Sequence, residues 1–149
     1  MNIKRILCCV DFSSNADKAF ETALDLTRKY DAQLHLLHVL PPVISPLITD
    51  IDLVVPAESS TVLVEKLADQ MIHTYGQRIP SSTDHVLRVR EGHVSSEILH
   101  YLEVEEIDLV IVGAYGLSGM ELVLFGSVAK RIAHKAGCSV MIVRHADTA

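Results

Sequence analysis

The chain has 149 residues, 49% hydrophobic and 21% charged, a balance that fits one globular domain with a genuine core and excludes a disordered chain. Its formal net charge is −6, its Lys and Arg residues are scattered, and no basic tract interleaves with aromatics, so no nucleic-acid-binding surface is expected. No apolar run approaches the ~18 residues of a membrane span, and the run after the basic opening Met1 to Arg5 stops at Asp11, wrong for an export signal, so a cytoplasmic protein is expected.

The first strand-length run is Ile6 to Val10. Cys8 and Cys9 within it would point to opposite faces of a strand and read as small buried hydrophobes, since three cysteines in the chain make no disulfide framework. Ala16, Ala19, Phe20, Ala23, Leu24 and Thr27 then recur at helical spacing. Ser13, Ser14 or Asn15 can cap that helix, with Asp17 in its first turn. Leu34 to Leu40 forms the second run. The stretch from Pro41 to Pro56 carries four prolines (41, 42, 46 and 56) and reads as a long loop over one edge of a site. A second helix is expected from about Glu58 to Tyr75, with Val62, Leu63, Leu67 and Ile72 on its inner stripe.

Val86 to Val89 is the third strand candidate, and a helix beginning near Ser95 or Ser96 includes Ile98, Leu99 and Leu102. The Glu103, Glu105, Glu106 group reads as the solvated end of that helix. Leu109 to Val112 is the fourth run. A last helix starts after Gly126-Ser127, carries Val128, Arg131, Ile132 and Lys135 at helical spacing, and ends near Gly137 with cationic residues in its final turn. Cys138 and Val140 to Val143 complete the fifth strand. The order βαβαβαβαβ, with several strands apolar nearly throughout, calls for a single α/β domain built on a five-stranded parallel sheet with helices on both faces.

In such sheets ligands bind beyond the carboxyl ends of the strands, where strand order reverses. Two strand ends carry unusual residues: Val10-Asp11-Phe12-Ser13-Ser14 after the first, and Val112-Gly113-Ala114-Tyr115-Gly116 after the fourth. If these strands are neighbours, both features face one crevice. From Gly113 to Ser127 the glycines let main-chain N–H groups approach phosphate oxygens, and Ser127 opens a helix whose free N–H groups favour an anion. Taken singly, Gly113 and Gly116 fit an ordinary turn equally well, and Ser127 and Asp11 fit helix caps. Neither generic phosphate motif is present: Phe125-Gly126-Ser127 has no Walker lysine, and Gly113 and Gly116 are three apart where a dinucleotide fingerprint needs G-x-G. The histidines suggest no metal centre. His35 and His38 fall on opposite strand faces, and no Cys or carboxylate set completes a zinc site around His93 and His100.

Gly113, Gly116, Gly126 and Ser127 fit the pattern G-x2-G-x9-G-[ST], and with it the chain resembles the ATP-binding universal stress proteins. The opening Ile6 to Ala19, His38-Val39-Leu40 and Val140 to Val143 are similar to that family's first, second and last strand regions, so the resemblance spans essentially all of residues 1–149. It implies a Rossmann-like sheet with strand order 3-2-1-4-5 and a site for ATP, ADP or AMP with Mg²⁺ or Mn²⁺ held mainly by phosphate oxygens. Carried over, Asp11 and the main chain of Val39 contact adenine, and Cys9 and Val10 line the same pocket. Val112, Gly113 and Tyr115 lie along the nucleoside, while Gly116, Gly126, Ser127 and Val128 hold phosphates. Leu117 departs from a position often basic in the family, and Gly92-His93-Val94 from a common Gly-x-Pro turn. The resemblance also implies a homodimer through the last strand, Ser139 to Arg144.

Three functions stand as alternatives: a nucleotide-dependent signalling module in stress response, a slow ATPase or autokinase, and a nucleotide-free dimeric interaction protein of the same fold. The intact glycine spacing favours the first. No general base, arginine finger or Walker lysine is evident for the second.

Overall fold

A computed structural model describes residues 2–42, 60–114 and 127–144 of the chain. Along these residues run β1 (Arg5–Cys9), α1 (Ser14–Tyr30), β2 (Gln33–Leu40), α2 (Ser60–Thr74), β3 (His85–Glu91), α3 (Val94–Val104), β4 (Leu109–Gly113), α4 (Ser127–Lys135) and β5 (Ser139–Val143). The five strands form one sheet in the order β3-β2-β1-β4-β5, every pair parallel, as the sequence pattern and the resemblance both imply.

Strand alternation sorts the apolar side chains into two layers. Ile6, Cys8, Leu34, Leu36, Leu109 and Ile111 face one side, where Ala16, Ala19, Phe20 and Ala23 of α1 and Met71 of α2 close the core. Leu7, Leu37, Val39, Val110 and Val112 face the other, covered by Ile98, Tyr101 and Leu102 of α3 and by Ala129 and Ile132 of α4. Cys8 and Cys9 divide between these layers, as their adjacency predicts. Burial pushes the Cys8 thiol well up and that of Cys9 up to about 12, so neither is a reactive thiolate near neutrality.

Several elements differ from their sequence reading. The inner stripe of α2 is Val64, Leu67, Ala68 and Met71, continued by Tyr75 just past the helix. Val62 and Ile72 are 41% and 51% exposed. Successive helical residues turn by ~100°, so once Met71 faces the sheet, Ile72 is carried off that face while the residues three, four and seven before Met71 stay on it. β3 is longer than Val86 to Val89, because exposed His85, Arg90 and Glu91 still pair with Leu34, Val39 and Leu40 of β2. Cys138 lies just before β5, and α3 begins one residue earlier than expected, at Val94.

One polar group lies deep in the second layer. His35 is buried, with Nδ1 2.7 Å from the Tyr101 hydroxyl and Nε2 2.8 Å from Gln33 Oε1. Burial lowers its pKa and favours the neutral ring, and both ring nitrogens are taken by hydrogen bonds within the core. His38, on the opposite face as expected, donates from Nδ1 to the Val10 carbonyl at 2.8 Å.

Candidate functional site

The carboxyl edge of the sheet is where the candidate residues meet. β1 lies between β2 and β4, so strand order reverses on leaving it, and the two strand ends singled out in the sequence are neighbours. Cys9 pairs with Leu37 and Cys8 with Ile111, and the Val10 N–H donates to the Leu37 carbonyl at 2.9 Å. Continuing these registers sets Asp11 level with Val39 on one side and with the residue after Gly113 on the other. Val39 and Val112 bury their side chains in the layer under α3 and α4, which leaves their main chains at the rim. Gly113 closes β4 opposite Val143, and the Ala114 N–H donates to the Val143 carbonyl at 2.8 Å.

The β1–α1 turn has a defined shape. Phe12 takes φ 64°, the left-handed region that non-glycine residues seldom occupy. Its ring stacks 4.9 Å from His38 and 5.7 Å from Tyr75, which anchors the turn to β2 and to the end of α2. The turn delivers Ser13 as the N-cap of α1: its Oγ accepts the Ala16 N–H at 3.1 Å. Asp11 in turn accepts the Ser13 N–H at 3.0 Å and the Ser13 hydroxyl through the same oxygen, Oδ1. The carboxylate therefore supports the cap without being the cap, and it stays half-buried at the strand end.

α4 opens at Ser127, whose side chain is exposed, with Val128 half-buried behind it. Ser127 and Val128 line a cavity of about 380 Å³ whose other walls include Pro41 and Pro42 after β2, His93 and Arg131. The first two prolines of the expected loop thus do border the cavity. The remainder of that loop, together with Tyr115, Gly116, Leu117 and Gly126, lies outside the described residues.

His93 and Arg131 are what sequence reasoning missed here. His93 is the N-cap of α3: its Nδ1 accepts the Ser96 N–H at 3.4 Å. Histidine is not among the usual capping residues, so no sequence signal marked it. Gly92 before it sits at φ 147° with its N–H bonded to the Leu40 carbonyl, and a Cβ there would come within 2.8 Å of Glu97 Oε1. Arg131 was legible only as a helical residue. Its spacing of four from Ser127, which puts both on one face of α4, was the available clue.

Comparison with known proteins now decides the family. The family model described as "Universal stress protein family" matches residues 2–144. The chain belongs to the universal stress protein family. Universal stress protein A homolog 2 of Coxiella burnetii is 30% identical, the alignment covering 96% of each chain. Among solved structures, the universal stress protein UspA of Lactobacillus plantarum superposes with TM-score 0.79 at 24% identity, covering 97% of this chain and 99% of that one. A universal stress protein in complex with cAMP superposes with TM-score 0.68, 18% identity and coverage of 97% and 98%. The universal stress protein of Archaeoglobus fulgidus in complex with dAMP gives 0.64, 14% identity and coverage of 95% and 98%. At these identities the structural likenesses establish the shared fold. Among the described residues no helix is long and apolar enough to cross a membrane.

Proposed function

We propose that this universal stress protein binds an adenine nucleotide at the carboxyl edge of its sheet and acts in the cytoplasm as a nucleotide-dependent signalling module. The observation that carries the reading is the meeting of Asp11, Val39 and the Gly113–Ala114 step at one level of three adjacent strands, on the sheet edge where Pro41 and Pro42 after β2 border the cavity that Ser127 and Val128 line. The solved relatives that hold cAMP and dAMP support the ligand class. In this reading Asp11 and the Val39 main chain meet adenine, Cys9 and Val10 line its pocket, and Val112, Gly113 and Tyr115 run along the nucleoside. Gly116, Gly126, Ser127 and Val128 receive the phosphates, with Mg²⁺ or Mn²⁺ held mainly by phosphate oxygens. The Asp11 carboxylate accepts from two donors of Ser13, which fixes its position at the strand end. In this reading the site holds a nucleotide, with at most slow hydrolysis or self-phosphorylation.

Isothermal titration of the full chain with ATP and ADP in the presence of Mg²⁺ is expected to give saturable binding that GTP does not reproduce. Flat titrations for both adenine nucleotides would remove the reading and favour the nucleotide-free interaction protein.

The same reading includes a homodimer through Ser139 to Arg144. β5 is a sheet edge, and Met141 on it is 36% exposed. Sedimentation equilibrium is expected to return twice the chain mass, and Met141→Glu to return the monomer. A monomeric wild type at all concentrations would dismiss the pairing.

A further inference from the structure

Arg131 is held differently from Arg5, Arg28 and Arg78, which pair with the carboxylates of Glu106, Asp25 and Asp17. It differs too from Arg88 and Arg90, which donate to the carbonyl of the residue before them. The Arg131 Nη1 donates at 3.2 Å to the hydroxyl of Ser95, a residue only 3% exposed. Ser95 comes from the first turn of α3, so the bond spans the two helices and fixes the half-buried guanidinium at the cavity wall. A hydroxyl fixes position without supplying counter-charge. Among the described residues, the cation's partner is neutral. Ser127, four residues earlier on the same face of α4, lines the same cavity. His93, the N-cap of α3, lines the same cavity, and its Nδ1 accepts the Ser96 N–H. The described side chains that line this cavity include one cation and no carboxylate, and the chemistry that answers them is an anion.

We propose that Arg131, positioned by Ser95, binds the phosphate chain of the nucleotide and makes the site prefer ADP and ATP to adenosine. The inference rests on the nucleotide-binding reading above. A guanidinium offers two parallel N–H donors to a phosphate, and Ser95 removes part of the entropy cost of aiming them.

Titrations of the full chain with ATP and with adenosine, Mg²⁺ present, test it on wild type, R131A, R131K and S95A. R131A is expected to bind ATP about 10-fold or more weakly while its adenosine affinity stays within about twofold. The salt dependence of ATP binding is expected to flatten in R131A, R131K to recover part of the loss, and S95A to show a smaller loss with the charge retained. Wild-type ATP affinity in R131A, or an equal loss for ATP and adenosine, overturns the role of Arg131 and leaves the nucleotide reading standing. If R131A does not fold, unchanged ATP affinity in both R131K and S95A overturns it. A wild type that binds neither ligand overturns the nucleotide reading, and this inference with it.

Discussion

Phe20→Ala will lower the unfolding free energy by about 3–5 kcal/mol, a large share of the ~5–15 kcal/mol that holds a domain of this size together. Phe20 is fully buried at the centre of the layer between α1, α2 and the sheet. Its ring meets that of Tyr75 edge-on at 5.0 Å, and the Arg78 guanidinium sits 4.7 Å from its centroid. Removing the ring deletes an apolar surface, an aromatic pair and a cation–π contact together, and the three elements around it are anchored too well to collapse into the space. Urea denaturation followed by circular dichroism will show the loss as a lower midpoint with an unchanged slope. Ile72→Ala is the companion measurement. That residue reads as core from the sequence but is half exposed on α2, so its substitution should stay within about 0.5 kcal/mol of wild type. A comparable loss for both variants would mean that α2 packs by a different face.

Asp11→Ala will weaken ATP binding by about 10- to 100-fold, the range expected when a hydrogen bond to a charged group is removed at a binding site. The prediction rests on the proposed contact with adenine, whose 6-amino group a carboxylate accepts. It therefore carries a specificity signature as well. Wild type should favour ATP over ITP, which has a carbonyl in place of that amine, and the variant should lose much of the difference. The competing role of Asp11 is purely local, since its Oδ1 holds Ser13 and Ser13 caps α1. That role predicts a stability loss of about 1 kcal/mol and no change in nucleotide preference. Titration of both nucleotides alongside thermal unfolding separates the two, and an unaltered ATP:ITP ratio would sink the adenine contact.

The parallel sheet and its order were legible because both depend on strongly periodic apolar runs separated by helical patterns. The Ser13 cap was legible for a local reason, since a serine before an apolar helical stripe satisfies free N–H groups whatever the tertiary context. α2 was misread because Val62, Leu63 and Ile72 are as apolar as the true stripe; only packing on β3, with Tyr75 edge-on to Phe20 of α1, selects Val64, Leu67, Ala68 and Met71 over them. β3 was read too short because a sheet-edge strand keeps its backbone pairing while its outer residues turn polar. Within the candidate site, Asp11 and Val39 were singled out by resemblance to the family's strand ends and Gly113 by its glycine spacing, and the common level of Asp11, Val39 and the residue after Gly113 emerges only from the strand registers. Arg131 reaches Ser95 across two helices far apart in sequence, and His93 caps α3 beside the same cavity, relations that no local pattern encodes.

Cys8 and Cys9, adjacent on the central strand, report to opposite layers that share little beyond the backbone of the sheet. The protein is thus two half-cores with a common wall. Substitutions behind α3 and α4 could retune the environment of Ser127 and Arg131 while the packing beneath Asp11 and Phe12 stays as it is. In the proposed reading, one chain can in this way drift in how it holds the phosphates of a nucleotide without altering how it holds the base.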